Sequence, residues 1–99
     1  LGRVAPRVFP LLGLCTVLPR TSILGLVNQA TFDAQRAIYN DWVKNGSTAD
    51  FVIDWDTDAR FAETTNPLIY QDQVHLTALG ASYAAAVGNV ATRQALAAL

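Results

Sequence analysis

Two apolar runs that do not alternate, set on either side of a stretch with helical spacing, constrain this chain more than any other feature. From Val8 to Leu18 the residues are largely apolar without a two-residue period, the pattern of a strand covered on both faces. Proline cannot donate to a sheet ladder, so Pro10 precedes the strand proper and Pro19 ends it. The expected strand is Leu11 to Leu18. The second run, "ADFVIDWD" from Ala49 to Asp56, has the β-branched and aromatic content of another buried strand, centred on Phe51 to Asp54. Between the runs, Thr31 is an N-cap candidate for a helix through about Asn45, with Gly46 as its stop. Phe32, Tyr39, Trp42 and Val43, supported by Ile38, share one helical face, and that face is expected to pack on a sheet. "PRTSILGLVNQA" before it reads as a loop, because Thr21, Ser22 and Asn28 are poor helix-interior residues.

After the second run, residues 59 to 75 look irregular, with Pro67 and polar clusters. Thr77 then caps a final alanine-rich helix to about Leu99, carrying Leu79, Tyr83, Val87, Val90 and Leu96 as its larger apolar residues. Strand, helix, strand, long loop, helix implies an α/β chain whose two strands lie parallel and adjacent, joined by a helical crossover. The 99 residues suit one small domain, and a 52% hydrophobic composition argues for a packed core.

Charge and cysteine content narrow the partners. A net charge of -1 gives no reason to expect nucleic acid. Leu1 to Phe32 holds Arg3, Arg7 and Arg20 and no acid, whereas Asp33 to Asp72 holds all eight acids against three bases. That division reads as a buried first segment and a solvated middle. Cys15, the sole cysteine, closes no internal disulfide and makes no zinc site, so it reads as a buried strand residue. Asp54, Asp56 and Asp58 have a calcium-loop rhythm, but neither the turn glycine nor the closing glutamate follows, leaving a solvated acidic loop. No metal or cofactor is expected. The two arginines before the first apolar run imitate a signal peptide. Pro6, Pro10 and Pro19 interrupt the run, which is also too short to span a membrane.

The only histidine stands in "YQDQVHLTALG", Tyr70 to Gly80, where Asp72 precedes His75 by three positions at a helix entry. In an open parallel sheet, functional groups gather at the carboxyl ends of the strands, and this loop emerges on that side. A histidine serves as a general base near neutral pH, and a carboxylate on its far nitrogen fixes the tautomer. The same spacing arises by chance in a chain with seven aspartates, where the histidine simply caps or packs.

The stretch "DQVHLTALG" resembles the last block of the SGNH, or GDSL-type, serine hydrolases, which reads D-x-x-H with a glycine shortly after, at the start of the last helix. "LCTVLPR" is similar to a late strand of that family and the loop after it, "RAIYNDWVK" to the following helix, and "ADFVIDWD" to the next strand. The likeness spans nearly the whole chain in order. It implies a three-layer α/β/α, flavodoxin-like domain in which only the last βα units are present. It further implies His75 as general base, Asp72 as orienting acid, and Val74 as a residue facing the acyl pocket. Pro19 and Arg20 would lie near the cleft without a catalytic role.

The departure from that pattern is large. The family's nucleophile belongs to a G-D-S motif, and its oxyanion hole adds a glycine and an asparagine from two further blocks. No G-D-S occurs here, and the only serines are Ser22, Ser47 and Ser82, in a loop, a helix-to-strand turn and a helix interior. "YND" at Tyr39 to Asp41 is superficially similar to the asparagine block, yet Asn40 falls mid-helix without the preceding glycine. Residues 1 to 99 are therefore expected to form the C-terminal portion of one SGNH domain. They would supply His and Asp for hydrolysis of an acyl ester, with the rest coming from a missing N-terminal segment or a second chain. Two alternatives stay open: a non-catalytic interaction module built on the same units, or an unrelated α/β binding domain with an accidental D-x-x-H.

Overall fold

The computed structural model describes residues 11–21 and 28–99. Val8 to Pro10 and Ser22 lie outside the described residues. Strand β1, Gly13–Cys15, pairs in parallel with strand β2, Phe51–Ile53, in the register Gly13 to Phe51, Leu14 to Val52 and Cys15 to Ile53. Helix α1, Gln29–Asp41, joins them, and a π-helical turn over Trp42–Gly46 extends it. The parallel, adjacent pair and the mixed α/β class are as expected. Both strands are shorter than their apolar runs, and all six strand residues are only half-buried rather than covered on both faces.

Helix α1 starts earlier than Thr31. Asn28 is extended, and its side chain accepts from the Thr31 N–H at 3.0 Å, so Asn28 is the N-cap and Thr31 sits inside the first turn. Either residue type caps well; the one three positions upstream wins. The inward face also differs from expectation. Ile38, Tyr39 and Trp42 are 64%, 36% and 49% exposed. Val43 is fully buried as expected, but the residues that turn inward with it, at i, i+4, i+7, are Arg36 and Asn40, the latter also fully buried. The Asn40 amide clips the segment leaving β1: its Oδ1 accepts from the Val17 N–H at 2.7 Å and its Nδ2 donates to the Val17 carbonyl at 3.0 Å. A side-chain amide thus satisfies two main-chain groups where the ladder has ended.

Thr16 ties the two strand ends together. Its buried hydroxyl accepts from the Trp55 and Asp56 N–H groups, at 2.9 and 3.0 Å, and donates to Asp54 at 3.3 Å. The acidic loop that follows is not freely solvated. Asp54 accepts from the Thr57 hydroxyl at 2.8 Å, Asp56 pairs with Arg36 and with Lys44, and Asp58 pairs with Arg60 at 2.7 Å. Among the described residues no group of three or more His, Cys, Asp or Glu side chains is arranged to hold a metal ion.

Helix α2 spans Ala78–Ala97, capped by Thr77, whose hydroxyl accepts from the Gly80 N–H at 3.0 Å. Its buried positions are Gly80 and Ala84, whereas Leu79, Val90 and Leu96 are exposed. Small residues let the helix approach β2 closely, and Trp55 Nε1 donates to the Ala84 carbonyl at 3.0 Å across that contact. The core cluster is Phe61, Ile69, Tyr70 and Ala84, with Leu18, Trp55, Leu76 and Tyr83 against it. Most of it therefore comes from the segment between β2 and α2. Tyr70 is buried with its hydroxyl donating to the Phe61 carbonyl at 2.8 Å, and burial raises its pKa. Among the described residues no helix is long and apolar enough to cross a membrane.

Candidate functional site

The loop from Gln71 to His75 is a small closed turn standing on the core. Tyr70 and Leu76 form an antiparallel bridge at its base, and the Gln71 N–H donates to the His75 carbonyl at 2.8 Å. Below it, Thr77 bonds back through its N–H to the Ile69 carbonyl at 2.8 Å and through its hydroxyl to the Leu68 carbonyl at 2.6 Å. Buried Ile69 and Tyr70 on one side and the capped start of α2 on the other hold the turn's two feet.

Within the turn, Asp72 works at both ends of its carboxylate. Oδ1 accepts the main-chain N–H groups of His75 at 2.7 Å and of Val74 at 3.1 Å, while Oδ2 lies 2.7 Å from His75 Nδ1. The main-chain donor at His75, followed by the imidazole itself, holds the Asp72 pKa down at about 2. The carboxylate is therefore ionised wherever an imidazole titrates, and an ionised carboxylate only accepts. It fixes the proton on Nδ1 and leaves Nε2 as the acceptor nitrogen. Nε2 meets no hydrogen-bond partner among the described residues, and the His75 side chain is 74% exposed.

This geometry brings together the two residues singled out by the sequence. Val74 lies between them half-buried, and its polar contact with the pair is through its main-chain N–H. The serines are elsewhere engaged: the Ser47 hydroxyl donates to the Val43 carbonyl at 2.8 Å and that of Ser82 to the Leu79 carbonyl at 2.7 Å. No described serine meets His75. An open groove of about 390 Å³ runs between β2 and α2, past Val52, Val87 and Val90, with Asp54, Arg60 and Gln94 on its rim. None of the three loop residues lines it.

The parallel strands send both following segments out at the same end of the sheet. From that end the chain after β1 reaches Thr21, whose N–H donates to the Gln73 carbonyl at 3.1 Å and whose hydroxyl donates to Gln73 Oε1 at 2.8 Å. The D-x-x-H turn is thus bound to the segment leaving the carboxyl end of β1. Gln73 has a φ of 66°, a left-handed conformation that costs a non-glycine residue about 1–2 kcal/mol. Thr64, buried, lies 2.6 Å from the Thr21 hydroxyl. The sequence reading missed these three residues, and nothing in a glutamine or a threonine announces a left-handed turn or a cross-loop hydroxyl pair. Arg20 beside Thr21 lies over the Phe32 ring, 5.7 Å from its centroid, with Nε buried and unpartnered among the described residues.

Comparison with known proteins gives no match: no family model, no curated protein and no solved structure is significantly similar to this chain.

Proposed function

We propose that this chain supplies the general base and its orienting acid to an SGNH-type serine hydrolase acting on acyl esters, with three-layer α/β/α architecture completed by residues it lacks. His75 takes the proton from a serine hydroxyl through Nε2 and returns it to the leaving alcohol. Asp72 holds the imidazole in the tautomer that can do so and stabilises the imidazolium formed on the way. The observation that carries this reading is the 2.7 Å contact between Asp72 Oδ2 and His75 Nδ1, with Nε2 left open to solvent. A histidine that merely capped or packed would have both nitrogens on main chain or in solvent, with no carboxylate on Nδ1.

The nucleophile and oxyanion hole come from a segment that carries the G-D-S, glycine and asparagine blocks. The two described strands are half-buried, which leaves the sheet open to further strands from that segment. A second reading, a binding module without catalysis, draws on the exposure of Ile38 and Trp42, which leaves an apolar face on α1.

Hydrolysis of a short p-nitrophenyl ester separates the two. In the full-length hydrolase, His75→Ala lowers kcat by at least about 10,000-fold and Asp72→Asn by about 10,000-fold or less, since binding and oxyanion contributions survive. The 99-residue chain alone turns over no faster than its own His75→Ala variant. If both substitutions leave hydrolysis intact, or if the chain alone hydrolyses ester through Ser22, Ser47 or Ser82, the catalytic reading fails.

A further inference from the structure

We infer that Thr21 is a positioning residue for His75, holding the Asp72–His75 pair in register through its two bonds to Gln73. The catalytic consequence of this inference rests on the function proposed above; the positioning itself does not.

Gln73 is the hinge of the turn. It lies between the carboxylate and the imidazole, and its left-handed backbone is what bends the chain so that Asp72 faces back on His75. A conformation unfavourable to an L residue persists only when its surroundings over-determine it. Within the turn, the Asp72 carboxylate closes onto Val74 and His75, and Gln71 closes onto His75. All those bonds lie within five residues and move together. The bonds from Thr21 come from 52 positions away and tie the hinge to the rest of the fold.

The hydroxyls form a directed chain. Gln73 Oε1 only accepts, so the single Thr21 proton is committed to it, and the 2.6 Å contact with Thr64 then requires Thr64 to donate to Thr21. Thr64 is 6% exposed, so the far end of the chain is anchored inside the protein. The Thr21 main-chain N–H adds a second contact, to the Gln73 carbonyl, which prevents rotation about the first. Without the hydroxyl, one of two attachments is lost, and a buried threonine loses its acceptor. The turn then samples conformers in which the Asp72 carboxylate and His75 Nδ1 separate.

His75 is the only histidine, so its ring nitrogens are read without assignment ambiguity in the 99-residue chain. Nitrogen-15 correlation spectra of the imidazole report which nitrogen carries the proton and how fast that proton exchanges with water. In the unaltered chain, Nδ1 carries a protected proton and Nε2 is bare. Thr21→Val, which keeps the shape and removes the hydroxyl, shifts the tautomer population toward Nε2–H and loses the protected Nδ1 proton. Thr21→Ser restores both. Gln73→Ala, at an exposed position, moves the same signals in the same direction, and Thr21→Val adds little on top of it. Amide signals of α2 stay in place throughout, separating loss of positioning from loss of fold.

In the full-length hydrolase the Thr21→Val variant loses about 10- to 100-fold in kcat at an unchanged KM, the effect of misplacing a reacting group rather than a binding one. If Thr21→Val and Gln73→Ala leave the imidazole tautomer and proton exchange as they were, Thr21 does not position His75, whatever the fate of the hydrolase reading. If the tautomer shifts while His75→Ala leaves ester hydrolysis intact, the positioning stands and the catalytic role is lost.

Discussion

Gly80→Ala and Gly88→Ala place the same methyl group on the same face of α2, eight residues apart, and should have opposite effects. In a helix interior, glycine is about 0.8–1 kcal/mol less favourable than alanine, so each substitution gains that amount before packing is counted. At Gly88 the new Cβ would meet the Ile53 side chain at 3.7 and 3.8 Å, ordinary contact, so the propensity gain survives. At Gly80 it would lie 2.5 Å from the Ile69 carbonyl oxygen and 3.2 Å from the Ile69 and Leu76 side chains. Ordinary contact begins at 3.4 Å, so helix and loop must part by 3.4 − 2.5 = 0.9 Å at a main-chain atom that cannot rotate away. Overpacking of this kind costs about 1–3 kcal/mol. The displaced carbonyl also accepts the Thr77 N–H, so the cap of α2 and the foot of the D-x-x-H turn move together. The net expectation is between about 0 and 2 kcal/mol of destabilisation for Gly80→Ala and up to about 1 kcal/mol of stabilisation for Gly88→Ala. Urea melts of the two variants beside the unaltered chain read this directly, provided the m-values agree. A Gly80→Ala chain as stable as Gly88→Ala would mean that the close approach of α2 to Ile69 is not what positions the turn.

Two further outcomes follow from the contacts. Asn40→Ala removes the partner of the Val17 N–H, while the Val17 carbonyl keeps the Arg36 Nε donor at 2.8 Å, and should cost about 1–2 kcal/mol in the same urea assay; a loss under 0.5 kcal/mol would show that the clip contributes nothing. The Asp72 carboxyl, followed by carbon-13 NMR, should titrate near 2 rather than 3.8. Because its folded pKa is depressed, its contribution to stability is present above the ordinary value of 3.8 and is lost as pH falls through about 2. His75→Ala should raise that midpoint only part of the way, since the largest cause is the residue-75 main-chain N–H, which alanine keeps.

The parts of this architecture that could be read from residues are those set by local chemistry. Thr77 before an alanine-rich run marked the start of α2, and its hydroxyl does cap Gly80. The two apolar runs marked β1 and β2, and the helix between them implied that they run parallel. What stayed illegible depends on partners distant in sequence. Asn40 in the middle of a helix gives no sign that it will hold Val17, 23 positions away. The apolar Ile38 and Trp42 looked like the inward face because hydrophobic periodicity carries no information about which neighbours are present. Likewise Phe61, Ile69 and Tyr70 build the core from a segment with no periodicity at all. At the site, the spacing of Asp72 and His75 was visible, but the left-handed Gln73 that brings them face to face was not.

Under the proposed function, His75 Nε2 activates a serine other than Ser22, Ser47 and Ser82. The measurement that tests this is the rate at which a fluorophosphonate ester modifies the full-length protein, with the adduct located by mass spectrometry. The prediction is a single adduct on a serine upstream of β1, with Ser22, Ser47 and Ser82 unmodified, forming at least about 10,000-fold more slowly in His75→Ala. Modification at the same rate in both proteins, or an adduct on Ser22, Ser47 or Ser82, would contradict it.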